Sequence, residues 1–496
     1  MSATSATRRV PDAAHHGSAP PHPQRQGTQR QGPLSTTRTP DPEPHGVNRG
    51  ATTLRALRAD VLTVAGWVSV AAVVALFLAD QGFGGWGSLA GATRQLGILT
   101  GLVGADLMVL SLLLSSRIPF VDKAVGHDRA LTRHGDLGQW VLTLVLAHGV
   151  LLLVSYALSD RVGLATEFSL MWGIRNYVLA VLSGGLITIV ALSSIVMALR
   201  RRLPQELWHL IHLTTYVAVI LSIPHQFSMA IVVNHGFARA YWIAMYAVTA
   251  FCLLAFRILL PLFTSLEHQL TVARIERLSP DAVAITMTGK HLDRLDADGG
   301  QFFYWRFMNP RLWWHQHPFS LSTAPDGEVL RITVRAQGKG TRQLIDALRA
   351  GDKVWFEGPY GLFSDAVRTS NAVVLAGAGA GIGPIVSILQ DTDITPGRAL
   401  VLLRASTPND LLHFHEVRNL CASRGVQLVT LVGRRGENGS WLPASAAGGR
   451  LVQWAPWLTN ADVYVCGPDA WTDAVVAEVR ASGVPDKQIH FERFSW

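Results

Sequence analysis

At 496 residues the chain has room for three or four domains. Charged residues make up only 16% and mean hydropathy is positive, which excludes an ordinary water-soluble composition. The net charge of +8 comes without a basic stretch interleaved with aromatics, so no nucleic-acid surface is expected, and three scattered cysteines (Cys252, Cys421, Cys466) exclude a disulfide framework or a CxxC metal site.

Residues 1 to about 50 are rich in Pro, Arg, Gln, Thr, Gly and His and almost free of large apolar side chains, so they read as a disordered cytoplasmic tail without the apolar core of a signal peptide. His15, His16 and His22 are expected to be solvated there. Six apolar segments follow, at about 60–79, 96–116, 137–158, 178–199, 207–225 and 240–262. Most are close to the roughly 20 residues that carry a helix across a bilayer, and backbone groups in lipid must pair internally, which makes the segments helices. Arg49, Arg55 and Arg58 precede the first helix; Arg117, Lys123, Arg129 and Arg133 fill the second loop, and Arg200, Arg201 and Arg202 the fourth. Basic loops face the cytoplasm, so the N-terminus, these loops and everything after the sixth helix are expected on that side of a plasma membrane. Beyond residue 265 the pattern alternates: LTVARIERL, AVAITMTG, VLRITVRA and DKVWFEG read as strands. From about 370, strand and helix take turns, the mark of an α/β domain with a mainly parallel sheet.

Within the spans, His134 and His148 stand 14 residues apart at the expected ends of the third helix, and His212 and His225 stand 13 apart on the fifth. The two helices run in the same direction, so His134 should meet His212 on the cytoplasmic side and His148 should meet His225 on the outer side. Fourteen residues rise about 21 Å, the separation of two stacked cofactors, and return to within about 40° of one face. Thirteen miss by about 140°, which a kink at Pro224 would have to correct. Two imidazole pairs in an apolar bundle suit two haems with axial histidines. His209 competes with His212 but has no mate on the third helix; His127 and His235 fall in loops and are expected to be solvated. Trp140 and Tyr216 are candidates to lie between the haems, with packing as the plainer role. Asp106, inside the second helix, has no role that the sequence explains.

HGDLGQWVLTLVLAH and WHLIHLTTYVAVILSIPH resemble the two histidine helices of the ferric reductase / NADPH oxidase family, and the resemblance extends over about residues 55–496. It implies a multi-domain membrane protein: the tail (1–50), a six-helix di-haem transmembrane domain (51–265), an antiparallel β-barrel FAD-binding domain (266–368) and an α/β Rossmann-like NAD(P)H-binding domain (369–496). His317-Pro318-Phe319-Ser320-Leu321-Ser322 is similar to the flavin motif of ferredoxin-reductase-like domains, with Phe319 near the isoalloxazine and Ser320 at its N5 edge. Gly338-Lys339-Gly340-Thr341 opens a helix whose amides and hydroxyl suit a pyrophosphate. Gly358-Pro359-Tyr360-Gly361 resembles the family's GPYG turn.

LAGAGAGIGPIVSIL places Gly377, Gly379, Gly381 and Gly383 in a strand-to-helix turn, with Pro384 opening the helix. The family often carries Thr where Gly383 stands, so a hydroxyl contact to the dinucleotide is missing. Arg404 ends the next strand, where an arginine accommodates a 2′-phosphate; it favours NADPH over NADH, with Arg434 and Arg435 as helpers. Cys466-Gly467-Pro468 resembles the turn that lies against the nicotinamide, and the terminal Trp496 resembles the family's aromatic flavin shield. The implied function is electron transfer from NADPH (or NADH) through FAD and two b-type haems to an acceptor outside. Ferric chelate, O2 and a quinone or partner protein all remain open. The alternative is a haem-binding electron conduit or sensor whose dehydrogenase part is impaired, with Gly383 in its favour.

Overall fold

The computed structural model describes residues 49–81, 84–196, 203, 205–230, 233, 235–436 and 439–493. Residues 1–48 of the expected tail, Arg200 to Arg202 and Trp496 lie outside them. Helices come first: α1 (Arg49–Gln81), α2 (Leu89–Ser115), α3 (Pro119–Val125), α4 (His127–Asp160), α5 (Leu164–Met171), α6 (Arg175–Ile195), α7 (Gln205–Met229) and α8 (Gly236–Leu254). A π-helical turn (Ala255–Leu259) joins α8 to α9 (Leu260–His268). Among the described residues six helical stretches are long and apolar enough to cross a membrane: Thr53–Asp80, Leu89–Ser115, His127–Asp160, Arg175–Ile195, Glu206–Met229 and Gly236–His268. Val61, Trp67, Val150, Ile189, Ile220 and Phe251 face outward as a lipid-facing set.

The spans overrun their apolar segments. Apolar counting reports only the hydrocarbon depth, whereas the polar turns HDRALTR before it and SD after it meet no helix breaker until Gly126, at φ 94°. His134 and His148 therefore sit inside α4, not at its ends, and much of the expected second loop is helical. Small residues bring α2 against α4: a Cβ at Gly97 would meet Leu152 Cδ2 at 2.8 Å, and one at Gly104 would meet Leu144 Cβ at 3.2 Å.

The β-rich part holds β1 (Thr271–Ser279), β2 (Ala282–Thr288), β3 (Phe302–Phe307), β4 (His317–Ser320), β5 (Val329–Arg335), the helix α10 (Lys339–Ala347) and β6 (Val354–Tyr360). It forms two three-stranded antiparallel sheets, β1-β2-β5 and β4-β3-β6, around one apolar core that includes Ile285, Phe303, Trp305, Ile332 and Phe356. The single bridges Thr271↔Lys353 and Leu321↔Ile332 join the sheets, so the expected barrel is not a continuous ladder. β4 is four residues long and carries Pro318, which lacks an N–H to extend the pairing.

The last part alternates β7 (Ala372–Ala378), α11 (Ile382–Asp391), β8 (Ala399–Ala405), α12 (Phe414–Arg424), β9 (Gln427–Val432), β10 (Ala461–Cys466), α13 (Asp469–Ala481) and β11 (Ile489–Glu492). Its sheet is parallel, in the order β11-β10-β7-β8-β9. β7, β8 and β10 are buried at every position, as parallel strands covered by helices on both faces must be. The order reverses between β10 and β7, which makes the carboxyl ends of those strands the crevice where ligands of open α/β sheets bind.

Candidate functional site

In the bundle, α4 and α7 bring their histidines together in two pairs. The His134 and His212 rings lie 5.9 Å apart at 70°, and the His148 and His225 rings 6.0 Å apart at 69°. The pairing expected from sequence is formed, with Pro224 inside α7 one residue before His225. α2 holds both α4 imidazoles: His134 Nδ1 donates to the Ser111 carbonyl at 2.9 Å, and His148 Nδ1 donates to the Gly97 carbonyl at 2.8 Å. A carbonyl only accepts, so Nδ1 carries the proton and Nε2 keeps its lone pair free, the arrangement of a metal-ligating histidine. Two imidazoles bound along one axis, each nitrogen about 2 Å from the metal, have centroids about 6 Å apart. His212 stacks on Trp208 at 5.2 Å, and its Nδ1 is buried without a partner. Among the described residues no three His, Cys, Asp or Glu side chains gather around one point. His209 is exposed and outside both pairs. Trp140 is 61% exposed, while Tyr216 packs against the apolar cluster of Met108, Leu112 and Val141. His127, expected in solvent, is buried at the first position of α4; His235 is exposed and reaches Asp80 at 3.2 Å.

The flavin-like motif lies on β4, paired with β3. The His317 ring lies parallel to Phe319, with centroids 5.8 Å apart. Burial, with His315 beside it, pulls the His317 imidazole down to about 4, so it is neutral at pH 7, and its Nε2 is buried without a partner. The Ser322 hydroxyl is likewise buried and unpartnered. A Cβ at Gly340 would lie 3.7 Å from His317 Cε1, so the first turn of α10 faces the motif. The Thr341 hydroxyl is not free as expected: it accepts from the amides of Gln337 and Gly338 at 3.0 and 3.1 Å, because the first turn of α10 must be capped. A shallow depression beside it is lined by Arg311, Lys339 and Arg342 together with Gln343, Asp346 and Ala347.

The sequence reading missed Glu492. Ser320 Oγ donates to Glu492 Oε2 at 3.0 Å, and Glu492 is the neighbour of Cys466 in the pairing of β10 with β11. Burial, then the charge of Asp128, pushes the Glu492 carboxyl well above its usual range against the opposing Ser320 bond. Burial, then Glu492, likewise raises the Cys466 thiol, so Cys466 is no thiolate nucleophile. Its backbone meets the glycine-rich turn: a Cβ at Gly381 would lie 2.2 Å from the Cys466 carbonyl oxygen. A Cβ at Gly467 would lie 3.0 Å from that of Ala378, so the two motifs meet at the switch point. Gly377 and Gly383 are buried and Gly379 takes φ 58°, with Pro384 in the first turn of α11. At Gly383 a Cβ would lie 3.1 Å from Ser322 Cβ and 3.4 Å from Thr333 Oγ1; packing against the flavin-like motif admits glycine there. Pro468 caps α13.

Arg404 stands at the end of β8 as expected. It is 4% exposed, and its guanidinium donates to the carbonyls of Ala405 and Leu431. A buried guanidinium needs acceptors; the two carbonyls take Nη1 alone, and Nε is buried without a partner. Arg435 is likewise turned onto the carbonyls of Gly439, Ser440 and Ala470, whereas Arg434 is exposed.

Two family descriptions match this chain: ferric reductase like transmembrane component over residues 100–223, and FAD-binding domain over residues 267–364. The chain has the ferric reductase / NADPH oxidase-like architecture. The chain is 28% identical over 236 residues to the reductase component of propane 2-monooxygenase from Rhodococcus jostii, covering 45% of this chain and 62% of that protein. It is 30% identical over 179 residues to the ferredoxin–NAD(+) reductase component of the alkene monooxygenase system of Xanthobacter autotrophicus, covering 35% of this chain and 55% of that protein. Among solved structures, the FAD/NAD-binding domain of nitric oxide dioxygenase from Vibrio cholerae is 22% identical with a TM-score of 0.39, covering 46% of this chain and 98% of that one. The chain thus spans less than two thirds of the two curated relatives, and in this ferric reductase / NADPH oxidase-like chain the spans precede the FAD-binding part.

Proposed function

We propose that this chain is a transmembrane oxidoreductase that carries electrons from cytosolic NADPH, through FAD and two b-type haems, to ferric chelate or O2 outside. The observation that carries the reading is the pair of facing histidine couples, each α4 imidazole held by Nδ1 with Nε2 free. The proposed layout is a tail over 1–50, a di-haem domain over 51–265, an FAD domain over 266–368 and a nucleotide domain over 369–496. The N-terminus and everything after the last span lie in the cytoplasm of a cell whose plasma membrane holds the bundle.

His134 and His212 hold the inner haem, His148 and His225 the outer. When bound, these groups supply what side chains lack: hydride acceptance, conversion of a two-electron input into single electrons, and electron storage at iron. Neutral His317 and Ser322 line the flavin site with polar atoms that have no other partner, and the Ser320 hydroxyl, which donates to the buried Glu492 carboxyl, stands at its edge. Gly377 to Gly383, with Gly467 and Pro468, leave the backbone open to the dinucleotide, and Cys466 acts through its buried volume, not as a nucleophile. Trp496 is proposed as the aromatic cover over the flavin. The impaired-dehydrogenase alternative keeps Gly383 as its one supporting feature; the close approach of Ser322 Cβ, 3.1 Å from where a Cβ would stand, gives packing as a second reason for glycine there.

Anaerobic addition of NADPH to purified, FAD-supplemented protein tests the reading: reduced haem bands must appear. Separate exposure to oxygen and to ferric chelate then names the acceptor by the faster reoxidation. A protein that binds two haems yet leaves them oxidised under NADPH refutes the enzyme.

A further inference from the structure

Where α2 ends and α4 begins, the membrane helices touch the β4-β3-β6 sheet through a buried group of rings and charges. Arg117, at 9% exposure, pairs with Glu357 of β6 and lies 4.3 Å over the Tyr304 ring and 5.7 Å over the Tyr360 ring. His127 stacks on Tyr360 at 4.7 Å and 28°, sits 3.3 Å from the Tyr304 hydroxyl, and meets Asp122 at 3.2 Å through its other nitrogen. Cation–ring contacts of this kind gain strength when water is excluded.

Both sides of this clasp lead to a cofactor site. His127 precedes His134 on α4 by seven residues, which puts it about 10 Å away and within about 20° of the same face. Arg117 follows Ser111, the residue that holds His134, by six positions. On the other side, Tyr304 is paired with Pro318 of the flavin-like motif. Gln316, the residue before His317, donates to the Glu357 carboxylate at 2.8 Å.

We propose that Arg117 and His127 are positioning residues for the electron handover: their clasp on Tyr304, Tyr360 and Glu357 fixes the flavin site against the inner histidine pair. This rests on the reading above. No bond forms or breaks in the clasp; it sets the distance over which the electron is handed on.

The test uses the full chain in lipid nanodiscs, with flavin and haem content measured first. Arg117→Asn combined with Glu357→Gln removes the charge pair together, so neither partner is left buried alone; Asn also tolerates the left-handed backbone at residue 117, where φ is 60°. His127→Leu combined with Asp122→Asn is the second variant. Anaerobic stopped-flow mixing with NADPH follows flavin bleaching and haem reduction separately. The expected result is flavin bleaching within twofold of the unmodified chain and haem reduction at least tenfold slower. Unchanged haem reduction in both variants overturns the proposal, as does an equal slowing of both steps, which marks a general folding defect. If the unmodified chain itself shows no haem reduction, the function fails instead, and the two failures are told apart by that control.

Discussion

Replacing Gly101 with Ala probes the outer histidine pair through its support. A Cβ at residue 101 would lie 2.4 Å from His148 Nδ1 and 2.7 Å from His148 Cε1, whereas ordinary contact begins near 3.4 Å. The helix backbone cannot yield, so the imidazole must move by about 1 Å, as overpacked groups do at a typical cost of about 1–3 kcal/mol. That movement pulls His148 away from the Gly97 carbonyl, now 2.8 Å from its Nδ1. Loss of a partner that orients a metal ligand lowers metal affinity by about 10- to 100-fold, or roughly 1.4–2.7 kcal/mol. The inner pair is untouched, because His134 is held at Ser111. Haem content measured as the pyridine haemochrome should fall from two per chain towards one, with the inner haem's spectrum kept. Gly66→Ala, where a Cβ meets nothing within 4 Å, is the control. Two haems per chain and an unaltered spectrum in Gly101→Ala would refute the account of His148 as a carbonyl-held ligand.

Two further outcomes follow from the reductase part. Glu492 has a raised folded-state pKa, so folded protein binds the proton more tightly than unfolded protein; its stabilisation is full below the unfolded value near 4.3 and is lost as pH rises towards the folded value. Glu492→Gln should flatten the fall in Tm as pH rises above the unfolded value, and a Tm that falls as steeply as before would show that Glu492 does not contribute to it. Arg404→Met should lower stability by about 1–3 kcal/mol through the carbonyls it deserts, yet shift the NADPH-to-NADH ratio of kcat/KM less than twofold. A collapse of that ratio would return Arg404 to the dinucleotide.

The sequence by itself determined the six spans, the strand–helix alternation and the near-equal spacing of the two histidine couples, because apolar runs and periodicities are local and hydrocarbon thickness admits few lengths. It also placed the glycine-rich and Cys466-Gly467-Pro468 turns at strand ends, where backbone approach matters. It could not decide where side chains turn once strands meet. Arg404 has the position of a phosphate-binding residue, but the carbonyls of Ala405 and Leu431 claim it. His127 looked like a loop residue until the β4-β3-β6 sheet covered it. Glu492 gains meaning only from Ser320, 172 positions away in the chain. His225 stands about 140° out of phase with His212 on an ideal helix, and the folded α7 still brings it to His148. Burial and partner choice depend on what packs against a residue, and such neighbours come from distant segments that no local pattern encodes.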